Sequence, residues 1–391
     1  MKLNKLFIII LIQLLLLNLH CKSQTDSQKV VEIKTSLPDV SSYNKYYHEV
    51  ARFFAALPQE DSSSIKSYDT LGVWIKHQEV FEKFYQNMAV PRFNEMRKFS
   101  DNELKEANDS IQTLFYPFSG PDFFHAHAFF PNAKTIIMMG LEKVGTVPKV
   151  NELSDKRLDV FFKALKRSLD SVFIWGYFMT NDMNKDFARS LELKGVIPIQ
   201  MLFLARNGFR VLDVKRITIT PKGEEIESVS KYDTDNPWDS FVSGCKILYY
   251  QPGDSIIRKL YYFSHDLSDV NIEKSSGLIL FLNKQNINVC YLKAASYLMW
   301  HFNKIRNVAL KNARYFFQSD CGIPYSYFPK KDFDIQLYGF YKRPIGVFKY
   351  CLQNDLKTAY KTEQNIKPLN FCIDYGCRYN ESNLMFAKKI K

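Results

Sequence analysis

Residues 114–141 constrain this chain more than any other stretch. A short apolar run, Leu114-Phe115-Tyr116-Pro117-Phe118, reads as a buried strand. Ser119-Gly120-Pro121-Asp122 then turns into an apolar helical stretch over 123–130, which Pro131-Asn132 stops. Pro121 suits a first helical turn, where its missing N–H would be unbonded anyway. Thr135-Ile136-Ile137-Met138-Met139-Gly140-Leu141 is a second buried strand, and Glu142 follows it. A strand, a helix and a strand so closely spaced favour parallel pairing through a right-handed crossover.

The same alternation continues downstream. Apolar periodicity predicts helices over 43–57, 71–88, 101–113, 153–178, 191–204, 278–283, 304–312 and 347–360. Strands are predicted over 209–220, 289–292 and 315–318, with a hairpin of 246–251 and 255–263 turning at Pro252-Gly253-Asp254. Residues 369–373 and 384–388 read as a closing strand pair. The expected fold is therefore α/β: a mixed, partly parallel, Rossmann-like sheet with flanking helices and an N-terminal helical segment. The expected divisions are a signal peptide over 1–23, a flexible tether over 24–42, the helical segment over 43–113 and the α/β domain over 114–391.

The signal is read from two lysines, Lys2 and Lys5, before an apolar run from Leu6 to Leu17 broken only by Gln13. A run of about 12 residues is shorter than the roughly 20 a spanning helix needs, so export is expected. Cys21 follows directly. Its position resembles the lipid-modified cysteine of bacterial lipoproteins, in the looser arrangement of Bacteroidetes-type lipoproteins, because Asn18 and His20 stand where the usual pattern has Leu and a small residue. A lipid at Cys21 would hold the protein on a membrane without spanning it. Cleavage after Ser23 is the alternative. The protein is then expected in the periplasm, the cell envelope or the extracellular space. Residues 24–42, rich in Ser, Thr, Asp, Lys and Gln, suit a tether.

Lys and Arg number 53 against 41 Asp and Glu, a formal charge of +12 that favours an anionic surface or ligand. The cations are scattered, apart from Lys388-Lys389-Ile390-Lys391, and no recognition motif accompanies them, so no nucleic-acid partner is expected. The cysteines make no zinc pattern. His125-Ala126-His127 would splay by about 200° on a helix, so no metal is expected there. Cys372 and Cys377 can pair if the four residues between them turn; the other pairings stay open.

Four strings, Phe115-Tyr116-Pro117-Phe118-Ser119-Gly120-Pro121-Asp122, Gly140-Leu141-Glu142-Lys143-Val144-Gly145, Lys293-Ala294-Ala295-Ser296-Tyr297-Leu298-Met299 and Ser319-Asp320-Cys321-Gly322-Ile323-Pro324, resemble hallmark segments of a family of exported bacterial proteins of unknown function. The resemblance implies an exported location and no particular chemistry.

Open α/β sheets bind ligands beyond the carboxyl ends of their strands. Ser119, Gly120 and Asp122, then Glu142, then Asp320 each follow a strand and are the candidate ligand residues. The first group with Glu142 is similar to the cofactor site of Rossmann-like methyltransferases. Only one glycine is present, however, and Pro121 removes an N–H donor. A nucleotide is also scarce outside the cytoplasm, so no cofactor is expected. Ser119 and Asp122 suit helix capping, the plainer reading. Ser296 has no nucleophile elbow around it, and Cys321 reads as an inert thiol or disulfide partner. No catalytic residue is assigned. The expected function is binding of a small-molecule or envelope ligand at the strand ends. The alternatives are an extracytoplasmic hydrolase using paired carboxylates from Asp122, Glu142 and Asp320, which requires them within roughly 5–10 Å, and a structural envelope protein.

Overall fold

The computed structural model describes residues 39–228, 235–344 and 346–390. The expected signal peptide, Cys21 and most of the tether lie outside the described residues. The described chain opens on helices α1 (Tyr46–Phe54), α2 (Gly72–Phe84), α3 (Val90–Glu103) and α4 (Lys105–Ser110). The helix expected over 71–88 does not stop there. A π-helical turn, Tyr85–Ala89, carries it into α3, with Pro91 in the first turn, where a missing N–H is tolerated.

Next come β1 (Thr113–Tyr116), α5 (Phe123–Phe129) and β2 (Thr135–Gly140), the strand-helix-strand unit read from the sequence. They are followed by α6 (Asp155–Trp175), α7 (Thr180–Arg189), α8 (Ile197–Arg206), β3 (Arg210–Ile219), β4 (Glu225–Glu227), β5 (Val242–Tyr250) and β6 (Arg258–Ser264). The last part holds α9 (Asp269–Lys274), α10 (Ser276–Asn283), β7 (Ile287–Leu292), α11 (Asn303–Asn312), β8 (Tyr315–Gln318), β9 (Phe333–Gly339), α12 (Asn354–Thr362), α13 (Asp374–Tyr379) and β10 (Asn383–Lys389).

Among the described residues, ten strands form one sheet in the order β4-β3-β5-β6-β2-β1-β7-β8-β10-β9. The centre, β6-β2-β1-β7-β8, is parallel throughout. Both wings are antiparallel. From β1 the chain moves outward to β2 and later β6, then returns to the other side of β1 for β7 and β8. That reversal makes the sheet doubly wound, with its topological switch point between β1 and β7. The fold is α/β and Rossmann-like, with helices on both faces.

Strand side chains alternate between the faces, as the period of two requires. Leu114, Tyr116, Tyr291 and Phe317 enter one core, which Val50, Phe54, Trp74, Phe81 and Met96 of the N-terminal helices complete. Phe115, Ile137, Cys290 and Phe316 enter the other, under α9 to α12. The N-terminal helices are thus one layer of the sheet's cover. No described helix is long and apolar enough to cross a membrane.

Two expected elements are corrected. The single helix over 347–360 is a 3-10 turn, Gly346–Cys351, followed by α12. Gln353 breaks it, because its side chain accepts from Tyr325 N (2.7 Å) and donates to Asp320 O (2.8 Å). Residues 369–373 form no strand. β10 pairs instead with β8 and with β9, an edge strand the sequence did not reveal. Cys372 and Cys377 are disulfide-bonded.

Candidate functional site at the strand ends

Beyond β1, Ser119 N (2.8 Å) and Gly120 N (3.2 Å) donate to Met139 O, which folds the turn over the end of β2. Ser119 Oγ accepts from Met139 N (3.2 Å), so this hydroxyl belongs to the turn and not to a helix cap. Gly120 has a φ of 55°, and a Cβ there would sit 3.5 Å from the Glu142 carboxylate. Asp122 is the N-cap of α5 and is fully buried. Its Oδ1 accepts from His125 N (3.2 Å) and His125 Nδ1 (2.8 Å). Its Oδ2 accepts from Tyr116 OH (2.8 Å) and pairs with Lys293 Nζ (2.7 Å). Burial opposes the charge, yet His125 and Lys293 bring the Asp122 carboxyl down to about 2. Burial likewise lowers His125, to about 4, although Asp122 pulls the other way.

Lys293 follows β7 directly, so this ion pair bridges the two sides of the switch point. Its ammonium also donates to Gly176 O, just past the end of α6. A ligand entering this crevice would have to displace a buried, hydrogen-bonded ion pair.

Glu142, beyond β2, is also buried. It accepts from Thr180 Oγ1 (2.6 Å) and from Tyr262 OH (3.0 Å). Burial, with Glu142 alongside, pushes the Tyr262 hydroxyl well above the usual tyrosine range. Gly140 makes this packing possible. A Cβ there would lie 2.2 Å from Glu142 Oε2 and 3.0 Å from Tyr262 OH. Gly140→Ala is therefore expected to lower stability by about 1–3 kcal/mol through overpacking. Thermal unfolding checks this: an unchanged midpoint would mean that Glu142 moves aside freely.

Asp320 stands two residues past β8. Its backbone N donates to Asn383 Oδ1 (2.7 Å), and its carboxylate accepts from Asn383 Nδ2 (2.9 Å) and Tyr297 OH (2.8 Å). Burial raises the carboxyl to about 6, with Asp374 adding to the rise and the bonds from Asn383 and Tyr297 opposing it. Asp374 sits behind, accepting from Ser319 Oγ (2.5 Å). Asp320 lines a cleft of about 610 Å³, together with Arg343, Lys349, Tyr375, Tyr379 and Glu381.

All five sequence-selected residues lie on one rim of the sheet, because β1, β2 and β8 run in the same direction. They fall into two groups. Ser119, Gly120, Asp122 and Glu142 are buried at β1 and β2, their polar atoms taken up by the fold. Asp320 belongs with Tyr297 and Asn383 and is the one that reaches an open cleft. Among the described residues, no hydrogen bond or ion pair links Asp320 to Asp122 or Glu142. His125 and His127 share α5 but face apart: His127 stacks on Phe123 (5.7 Å) and meets the ring of Phe209 (5.0 Å). Among the described residues no group of three or more His, Cys, Asp or Glu could hold a metal ion.

Sequence reasoning missed Lys293, although it follows a predicted strand in the same way as the residues that were chosen. It also missed Arg343, in the loop after β9, and Lys349, in the 3-10 turn Gly346–Cys351; no motif marks either. Fold and rim together define an α/β protein with a doubly wound, Rossmann-like sheet, a filled switch point and an open cleft at one side. No family model, curated protein or solved structure matches this chain.

Proposed function

We propose that this is an exported protein that binds an anionic, hydroxyl-rich ligand, of the kind an acidic envelope oligosaccharide provides, in the cleft beside Asp320. The observation that carries this reading is the cleft's pair of free cations. Among the described residues, neither Arg343 nor Lys349 has a carboxylate at ion-pair distance, whereas Lys293, Arg206 and Arg258 are all paired. Tyr375 and Tyr379 offer aromatic faces against which a sugar ring can pack, and Asp320 and Glu381 can take its hydroxyls. Export is supported by the lysine-flanked apolar run before Cys21.

Calorimetric titration with oligogalacturonate, against neutral cello-oligosaccharide as control, tests the binding. The acidic oligomer should bind, and Arg343→Ala with Lys349→Ala should weaken it by about tenfold or more, given the strength of charge-assisted hydrogen bonds. Equal affinity for both sugars, or no loss in the double variant, would end this reading. Cell fractionation and fatty-acid labelling test the location: the protein should appear in the envelope fraction, and label should depend on Cys21.

One observation favours a second reading, hydrolysis. Asp320, raised to about 6, titrates just below neutral pH in the same cleft as Glu381, and a pKa near the working pH suits a general acid or base. Asp320→Asn would then abolish turnover while the oligomer still binds.

A further inference from the structure

Cys372 and Cys377 are paired. Cys245 and Cys290 sit on β5 and β7, with three strands between them in the sheet and in different cores, so they cannot meet. Among the described residues, Cys321 and Cys351 remain. Both are thiols in this structure, each about 1% exposed. With Tyr297 they form a small apolar cluster of their own. The segments carrying them are held together. Gln353, two residues past Cys351, donates to the carbonyl of Asp320, the residue before Cys321 (2.8 Å). Phe348 stacks on Tyr297 with ring centroids 4.3 Å apart. Neither thiol lines the cleft, but Cys351 lies in the chain between Lys349 and Leu352, which form part of its wall, and Cys321 directly follows Asp320, which lines its base.

We propose that Cys321 and Cys351 form a second disulfide in the exported protein, tying the wall of the cleft at 349–352 to its floor at Asp320. This rests on the reading that the chain is exported and that the cleft is its site. Oxidising compartments permit such bonds. The two thiols give up two protons and two electrons as the sulfur–sulfur bond forms. A disulfide oxidant, a protein disulfide in the cell or oxidised glutathione in vitro, accepts them and becomes two thiols. Closure belongs to the folding stage, while both sulfurs are still accessible. Once buried, each thiol is pushed up by desolvation, and Cys321 also by Asp374 and Asp320. Buried thiols of that kind exchange slowly.

The experiment is refolding of the full chain in a glutathione redox buffer, alkylation under denaturing conditions, trypsin digestion and mass spectrometry. The expected product links the peptide carrying Cys321 to the one carrying Cys351. In the folded protein, trypsin should also cut after Lys349 about tenfold more slowly than in Cys351→Ser or Cys351→Ala, because local opening of the wall is suppressed. Full alkylation of both cysteines in oxidised, folded protein overturns the proposal, as does linkage of either to another cysteine. Peptide mapping of the unaltered chain needs no variant to fold. Refolding reads the pairing without regard to location, so a linked pair with no oligogalacturonate binding would keep the disulfide and end the binding reading. Binding with both thiols free would do the reverse.

Discussion

Asp122→Ala will destabilise this protein by about 3–5 kcal/mol, because it leaves the Lys293 ammonium buried without its counter-charge. Both side chains are nearly inaccessible, at 1% and 3% exposure. The same substitution removes the cap of α5 and the acceptor for Tyr116 OH. For a chain of this size that means a midpoint lower by roughly 4–6 °C. The charge argument separates from simple loss of packing through a second change. Asp122→Ala combined with Lys293→Met removes both charges, and an apolar replacement of a buried pair is often near neutral. The double variant should regain most of the lost stability, less the share of the cap, about 1 kcal/mol. Thermal and denaturant unfolding of the three proteins decides it. A double variant as unstable as Asp122→Ala alone would show that the cap and Tyr116 carry the effect and that the ion pair contributes little.

What the sequence revealed was local. The strand-helix-strand unit around Asp122 is written in neighbouring residues: an apolar run, a glycine turn, a capping aspartate and a second apolar run. Parallel pairing at the centre of the sheet then places the carboxyl ends of β1, β2 and β8 on one rim, which is why Ser119, Asp122, Glu142 and Asp320 share an edge. What fills that rim was not legible. Asp122 finds Lys293 only after the chain has crossed to the other side of β1, and Glu142 finds Tyr262 only once β6 has paired with β2. Buried ion pairs between distant segments leave no periodic trace. Residues 369–373 misled for a related reason. Leu369 and Phe371 are apolar because they pack into the core beside the N-terminal helices, not because they pair in the sheet. Gln353 likewise sits inside an apolar helical pattern and breaks it by bonding to Asp320 and Tyr325. Of the cleft cations, Arg343 lies in the loop after β9 and Lys349 in the 3-10 turn before that break.

Acidification from neutral pH will destabilise the protein progressively between pH 6.5 and 4, the window set by its buried histidines. Burial lowers His77 to about 4, His127 to about 3, His265 to about 4 and His48 to about 4 from the free value of 6.5, and His125 moves the same way. Arg206 near His77, Arg97 and Arg258 near His127, and Arg210 near His48 add to the lowering; Asp266 opposes it at His265. The unfolded chain therefore binds more protons between pH 6.5 and 4, and stability falls as pH falls through that window. A histidine held near 4 contributes about 3 kcal/mol of such loss. Five of them together rival the roughly 5–15 kcal/mol that holds a typical domain folded. Asp320 acts in the opposite sense. Its carboxyl is raised from 3.8 to about 6, so its contribution is complete below 3.8 and is lost as pH rises through 6. One such group offsets only a fraction of the histidine effect. Asp122, lowered to about 2, adds its own loss only below 3.8. Far-UV circular dichroism across pH 7 to 3 checks this. His77→Gln, which keeps a donor toward Phe54 O but cannot take a proton in this range, should move the midpoint to lower pH. A protein still fully native at pH 4, with an unchanged thermal midpoint, would mean that these histidines reach water, His77 included although its ring stacks on Phe162 at 3.9 Å.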